Sequence, residues 1–356
     1  MIQFWKLPFY SAFAVWTELN KTFIDSTLGF AAHLGLMFHT TGQSVWKKGE
    51  FCNFVLPKQL TKMPHPLVSK FSSSFLDIRE SVIETLFLVC NAIIVSRSTN
   101  LFVLKDYLPS LLENEQTHVL SHYKRLIRFF NYSNHTQLTT CILKWLYQLL
   151  SEQSKYLILD GTTWEAGDKY IHLLTLCIVY KNVAVPIYWK QLNKKGGHSS
   201  QEDRKLLFAE ALKIFQLSGM ILIADREFIG ENWFRYLTDN QIDFVVRVSK
   251  TCYKLPVSKA WGSSPAYLEK RASKRKSPVG KRFTMGTGSY SFVAVKNTRK
   301  DEKEPVLFLV SSLTDFAKIA AIYKVRWKIE TCFRQLKTKG RFAAAIQYGR
   351  FELQGR

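Results

Sequence analysis

The chain has 356 residues, with 50 Lys and Arg against 28 Asp and Glu, a formal charge of +22. That excess favours a polyanionic partner, nucleic acid ahead of a membrane surface or an acidic protein. Hydrophobic residues at 47% and aromatics at 14% exclude wholesale disorder, and the length allows two domains or one large domain with insertions.

No membrane association is expected, because the best apolar run, Val82 to Val95, is too short and carries Glu84. Met1 to Trp16 is apolar but lacks a small-residue cleavage site, so it is discounted as a signal peptide. Six cysteines (Cys52, Cys90, Cys141, Cys177, Cys252, Cys332) form no C-x-x-C pair and have no His at finger spacing. This argues against zinc and disulfides and for a reducing, cytoplasmic setting.

In chain order, residues 1–62 form an uncertain N-terminal segment and Pro57, Pro64 and Pro66 read as a linker. Residues 63–150 read as a helical, DNA-binding domain or as an ordinary helical bundle. Ile78, Val82, Leu86, Cys90, Ile93 and Ile94 recur at helical spacing. Ser98 to Asn100 then caps a second helix that stops near Pro109, a third from Ser121 carries Lys124, Arg125 and Arg128, and a fourth runs from about Gln137 to Leu150.

Residues 151–343 read as an α/β domain. Tyr156 to Asp160 is an apolar strand ending on a carboxylate, and strands at His172 to Tyr180 and Val183 to Gln191 are joined by Lys181-Asn182. Ser199 or Ser200 caps a helix from Gln201 to about Leu217, and Met220 to Asp225 is a second apolar strand ending on Asp. A helix after Gly230 and a strand at Asp243 to Val248 follow. Residues from about 245 to 306 are basic, with short β-segments such as Ser289 to Val295, and read as a β-rich insertion; Pro305 to Val310 is again a strand.

Ser311, Ser312, Thr314 or Asp315 caps a helix through Lys337. At about 100° per residue, Tyr323, Arg326, Glu330 and Lys337 share an arc of roughly 60° beside the stripe Ile322, Val325, Ile329, Phe333 and Leu336. Alone, this is an amphipathic helix with a solvated side. After two strand-borne aspartates in so basic a chain, it becomes the third part of a carboxylate site. Asp160, Asp225 and Glu330 are the expected catalytic and metal-binding residues. A pair of Mg²⁺ ions suits them, since magnesium takes few carboxylates and completes its shell with water and substrate phosphate. His172, in mid-strand, and His198, in a polar loop, read as structural.

The spacing Tyr323-x₂-Arg326-x₃-Glu330-x₆-Lys337, with Asp160-Gly161-Thr162 and Asp225 to Gly230 upstream, resembles the large family of bacterial insertion-sequence transposases of the DDE type. The resemblance covers about Val82 to Gly340. It implies an RNase H-like mixed sheet flanked by helices, interrupted by the β-rich insertion, in which Asp160, Asp225 and Glu330 bind two Mg²⁺ ions (Mn²⁺ substituting). Tyr323, Arg326 and Lys337 would hold DNA phosphates. The implied partners are the element's terminal inverted repeats, target DNA and a second copy in a synaptic homodimer; the resemblance also implies an aromatic that receives a flipped base, a part for which Trp261 and Tyr267 are candidates, although packing is the favoured reading of both.

Two departures stand out. Residues 344–356 read as an atypical tail where the family continues into a longer helical segment, and residues 1–62 lack the family's look. An end-binding relative that no longer cuts, and an RNase H-like nuclease of another cellular role, are the alternatives to an active transposase.

Overall fold

The computed structural model describes Ser73 and residues 77–334, apart from 97, 99, 133, 167–168, 182, 193–197, 250–264, 276 and 298–303. Lys337, Trp261, residues 1–62 and the tail therefore lie outside the described residues, as does the side chain of Tyr267. The chain divides into two compact units, one ending at Leu138 and the other continuing from Thr139.

The described residues of the first unit form the helices α1 (Glu80–Ser96), α2 (Leu101–Leu104), α3 (Leu108–Leu112) and α4 (Val119–Phe130). Ile83, Leu86, Val89, Leu104, Leu108 and Leu126 are buried; of the sequence-predicted stripe, Val82 is only half-buried. Asn100 does cap a helix, its side chain accepting from the Phe102 amide, but that helix is one turn long. Pro109 opens α3 instead of ending α2, because its missing N–H costs nothing in a first turn. On α4, Lys124 and Arg128 are exposed one turn apart. Arg125 is half-buried and donates to Thr85 Oγ1 at 3.4 Å.

Helix α5 (His135–Ser151) leads into the second unit, whose frame, among the described residues, is an eight-stranded mixed sheet in the order β3-β2-β1-β4-β5-β8-β7-β6. β1 (Tyr156–Ala166), β2 (Lys169–Tyr180) and β3 (Val183–Leu192) form an antiparallel meander. β4 (Ile221–Ala224) and β5 (Asp243–Val248) continue it parallel to β1 through the connecting helices α6 (Gln201–Leu212) and α7 (Glu231–Asp239). This 3-2-1-4-5 order, antiparallel then parallel, is the RNase H-like arrangement. β4 has the burial of a central parallel strand, all four residues inside.

The basic segment after β5 contributes α8 (Pro265–Lys274) and the hairpin β6 (Val279–Met285) and β7 (Gly288–Lys296). Among the described residues, it joins the existing sheet. β7 pairs with β8 (Val306–Ser311), and β8 pairs with β5, so the insertion lengthens the central sheet.

The last element differs from one continuous helix. α9 (Phe316–Tyr323) passes into a 3₁₀ turn (Lys324–Trp327) and then α10 (Lys328–Arg334). Asp315 is the N-cap, accepting from the Ala317 and Lys318 amides at 2.9 and 3.0 Å. Ser311 and Ser312 are engaged elsewhere, donating to Phe244 O and Asp243 Oδ1 and tying β8 to β5. The tighter 3₁₀ winding, about 120° per residue, rotates the face between Tyr323 and Glu330. Arg326 is 8% exposed while Trp327 is 45% exposed.

Candidate active site

The register of the sheet brings the two aspartates together. In the parallel β1–β4 ladder Leu159 pairs with Ala224, so the next residues, Asp160 and Asp225, stand side by side. Asp160 is not at a strand end: β1 continues to Ala166 against β2, with Asp160 opposite Thr175. It is the β1–β4 pairing that stops there, opening a notch beside a rigid strand.

Both carboxylates are held alike. Asp160 Oδ1 accepts from the Gly161 amide at 2.8 Å, and Asp225 Oδ1 from the Arg226 amide at 2.8 Å. The tyrosine Oη of Tyr323 donates to the same Asp225 oxygen at 3.4 Å.

Glu330 sits on α10, which packs on β1 and β3. Ile329, Cys332 and Phe333 are buried, and the Cys332 and Cys177 thiols are hydrogen-bonded, which seats α10 on β2. Lys328 donates to the Lys181 carbonyl in the β2–β3 turn.

Arg326 joins the carboxylates. Its Nη1 lies 3.6 Å from Asp160 Oδ2 and its Nη2 2.8 Å from Glu330 Oε1. Burial alone would lower its pKa, but Tyr323, Asp225, Asp160 and Glu330 together raise it above the usual arginine range. Burial raises the Tyr323 phenol well above its ordinary value, and the Asp225 charge raises it further. The phenol is a neutral donor here.

Asp160 is pushed up to about 7, first by burial and then by Asp225 and Glu227, against the lowering pull of Arg326 and the Gly161 amide. Its ionisation therefore costs folding free energy. Between about pH 4 and 7 the unfolded chain releases a proton that the folded chain keeps, so this group's contribution falls with rising pH and levels off above about 7. Asp160→Asn is expected to remove that component and to stabilise the protein by on the order of 2 kcal/mol at about pH 8. Urea unfolding of parent and variant at about pH 5 and pH 8 checks it; equal stability differences at the two pH values would refute it.

Three further side chains shape this region. Glu227, two residues after Asp225, reaches the site from the turn after β4. A Cβ on Gly161 would lie 3.7 Å from its Oε1 and 3.5 Å from His172 Nε2. Glu227 Oε2 pairs with His198 Nδ1 at 3.1 Å, and Ser199 Oγ lies 3.4 Å from Oε1. The second, Arg204, is buried on α6. It donates to Ser199 Oγ, Ser199 O, Glu227 O and Ile229 O at 3.0, 2.7, 2.6 and 3.3 Å and packs over Phe228.

This fan of donors fixes the turn that carries Asp225 and Glu227. Gly230 ends the turn at φ +148°, where a Cβ would strike Gln201 at 2.5 Å. Arg204→Ala strands buried acceptors and is expected to cost about 3 kcal/mol in a denaturant titration. A cost under about 0.5 kcal/mol, the level of a neutral surface change, would sink the account.

The third, Arg247, had a signal in the sequence: it is the one charge within the apolar run of β5. Its Nη2 lies 3.0 Å from Glu304 Oε2, while Glu304 Oε1 lies 3.3 Å from Arg226 Nη1.

The donor chemistry fits a hard divalent cation. Asp160 and Asp225 each have one oxygen anchored by the following amide, and the Asp160 charge is poorly solvated. In this arrangement, however, no three His, Cys, Asp or Glu groups among the described residues converge to hold an ion. The Arg326 guanidinium bridges Asp160 and Glu330 instead.

The sheet order and the paired aspartates define an RNase H-like protein of the carboxylate-bearing kind. The chain belongs to the transposase DDE domain family, whose model matches residues 152–347, more than half its length. Members of that family are in general metal-dependent DNA-cutting enzymes.

Among solved structures the chain is similar to a piggyBac transposase determined by cryo-EM as a synaptic complex with hairpin DNA, at 14% identity and a TM-score of 0.42. That match covers 77% of this chain and 63% of the piggyBac chain. No curated protein matches. No helix among the described residues is long and apolar enough to cross a membrane.

Proposed function

We propose that the protein binds the terminal inverted repeats of an insertion sequence and catalyses their Mg²⁺-dependent cleavage and transfer to target DNA, as a homodimer in the cytoplasm. The observation that carries this reading is the juxtaposition of Asp160 and Asp225 at the notch where the β1–β4 ladder ends, with Glu330 linked to Asp160 through Arg326.

Asp160 and Asp225 would hold two Mg²⁺ ions, with Mn²⁺ able to substitute, and Glu330 would join them where Arg326 releases it. The ions supply activation of the attacking oxygen and stabilisation of the leaving one in an in-line displacement. The chain's own groups do the rest. Gly161 and Arg226 amides orient the aspartates; Tyr323 holds Asp225. Arg326 offers a planar fork suited to a DNA phosphate, with Lys337 as a further phosphate contact. Residues 63–150 act as a DNA-binding domain, for which the exposed Lys124 and Arg128 supply phosphate contacts. Residues 151–343 are the catalytic domain, with the insertion inside it.

The test is purified protein with a duplex carrying the terminal repeat. Nicking that requires Mg²⁺ or Mn²⁺, with binding that weakens steeply as salt rises, is the expected result. Binding without nicking would replace this reading with that of an end-binding relative, the arrangement in which Arg326 stays on Asp160 and Glu330. Nicking with no preference for the repeat would favour a nuclease of another role.

A further inference from the structure

Asp225 stands in a closed ring of contacts that runs through the insertion. Tyr323 Oη donates to Asp225 Oδ1 at 3.4 Å, and the Arg247 side chain is hydrogen-bonded to Tyr323. Arg247 Nη2 pairs with Glu304 Oε2 at 3.0 Å, Glu304 Oε1 lies 3.3 Å from Arg226 Nη1, and the Arg226 amide returns to Asp225 Oδ1 at 2.8 Å.

We infer that Arg247 and Glu304 are positioning residues for Asp225, acting through Tyr323. The ring draws on four separate parts of the fold: the turn after β4, the end of β5, the segment leading into β8, and the end of α9. Its geometry explains why a cation sits on an otherwise apolar buried strand. Arg247 is 8% exposed, and a charge so placed is costly unless paired. Its partners are the phenol on one side and Glu304 on the other.

The Arg247 guanidinium donates to the phenol oxygen, which leaves the phenol proton one direction, toward Asp225. Two donors then converge on Oδ1. That fixes the carboxylate rotamer and presents Oδ2 as the ligand oxygen, as the Gly161 amide does for Asp160. Tyr323 is thus directed inward, to a neighbouring carboxylate. Glu304 belongs to the insertion side, so the insertion is tied to the geometry of the second aspartate.

The inference rests on the reading that Asp225 holds a divalent ion, and the test separates the two. Mn²⁺ binding to the DNA-free protein is followed by the EPR signal of free Mn²⁺ into the millimolar range, for parent, Asp225→Asn, Tyr323→Phe, Arg247→Gln, Glu304→Gln and the Tyr323→Phe/Arg247→Gln pair, with Tm recorded for each. Tyr323→Phe and Arg247→Gln are expected to weaken the Mn²⁺ site that Asp225→Asn removes by about tenfold. Glu304→Gln, on a half-exposed side chain that keeps its shape, is expected to weaken it by a few-fold. The double variant should be no weaker than Tyr323→Phe alone, because both act along one path.

Mn²⁺ affinities within about twofold of the parent for Tyr323→Phe and Arg247→Gln, in a protein whose site Asp225→Asn abolishes, overturn the relay. The same holds if only Tm falls. A parent with no Mn²⁺ site sensitive to Asp225→Asn overturns the metal reading, and the relay with it.

Discussion

Asp225→Asn and Glu330→Gln are each expected to lower single-turnover cleavage of a terminal-repeat duplex by about 10³-fold or more while the duplex is still bound. The size follows from the metal-holding role proposed for the carboxylates. Phosphoryl transfer asks little covalent chemistry of a protein, so its rate rests on positioning and on charge placed where the attacking and leaving oxygens develop theirs. Each substitution removes one unit of negative charge and keeps the side-chain outline. Asn at 225 keeps an oxygen for the Arg226 amide and the Tyr323 hydroxyl; Gln at 330 keeps an oxygen for Arg326. The notch should therefore retain its shape. Retained duplex binding in a gel shift separates lost chemistry from lost folding, and cleavage by either variant at parental rate would remove that residue from the site.

The parts of this site that were legible in the sequence share a physical cause. Asp160 and Asp225 each follow a short apolar run in a parallel strand pair, where burial on both faces forces continuous hydrophobic sequence and the pairing must end on something polar. That signal is local, and so is the order of strands and helices. The β1–β2 extension past Asp160 was hidden because Gly161 and the polar residues after it look like a turn, yet they pair with β2 all the way to Lys169.

The last helix misled for the opposite reason: its period is helical, and a four-residue 3₁₀ turn is invisible to a 100° wheel. Arg204 lies between Asp203 and Lys205 in the charged first turn of α6 and looks like an ordinary solvated cation, while Arg247 is a charge in an apolar run, which declares a need for partners without naming them. The partners, at Ser199, Glu227 and Ile229 for one and Tyr323 and Glu304 for the other, are distant in sequence. Likewise, nothing linear indicates that the insertion joins the same sheet, since strand pairing is settled by register and not by composition.

Arg326→Gln is expected to have opposite effects on two quantities: cleavage falls by about 10²-fold or more, while Mn²⁺ affinity of the DNA-free protein rises by about tenfold or more. In the structure the guanidinium is the cation of the site, 3.6 Å from Asp160 and 2.8 Å from Glu330. A divalent ion must compete with it for the same oxygens. A charge-assisted hydrogen bond contributes about 1.5–3 kcal/mol, equivalent to roughly 10- to 100-fold in affinity, and the variant releases that hold along with one unit of like charge near the ion. In the proposed function the side chain is also the fork for a DNA phosphate, so its loss would take away a contact to the phosphodiester. The two proposed roles would exclude each other in time. On the proposed reading, a phosphate that takes Arg326 would free Glu330 for the metal, so the ion would bind more tightly once DNA is present. Adding a short terminal-repeat duplex should accordingly tighten Mn²⁺ binding in the parent and leave the variant nearly unchanged, after correction for ions held by the DNA alone. A gain in metal affinity cannot come from misfolding, so an unchanged or weakened Mn²⁺ site in a folded Arg326→Gln protein would refute the competition directly.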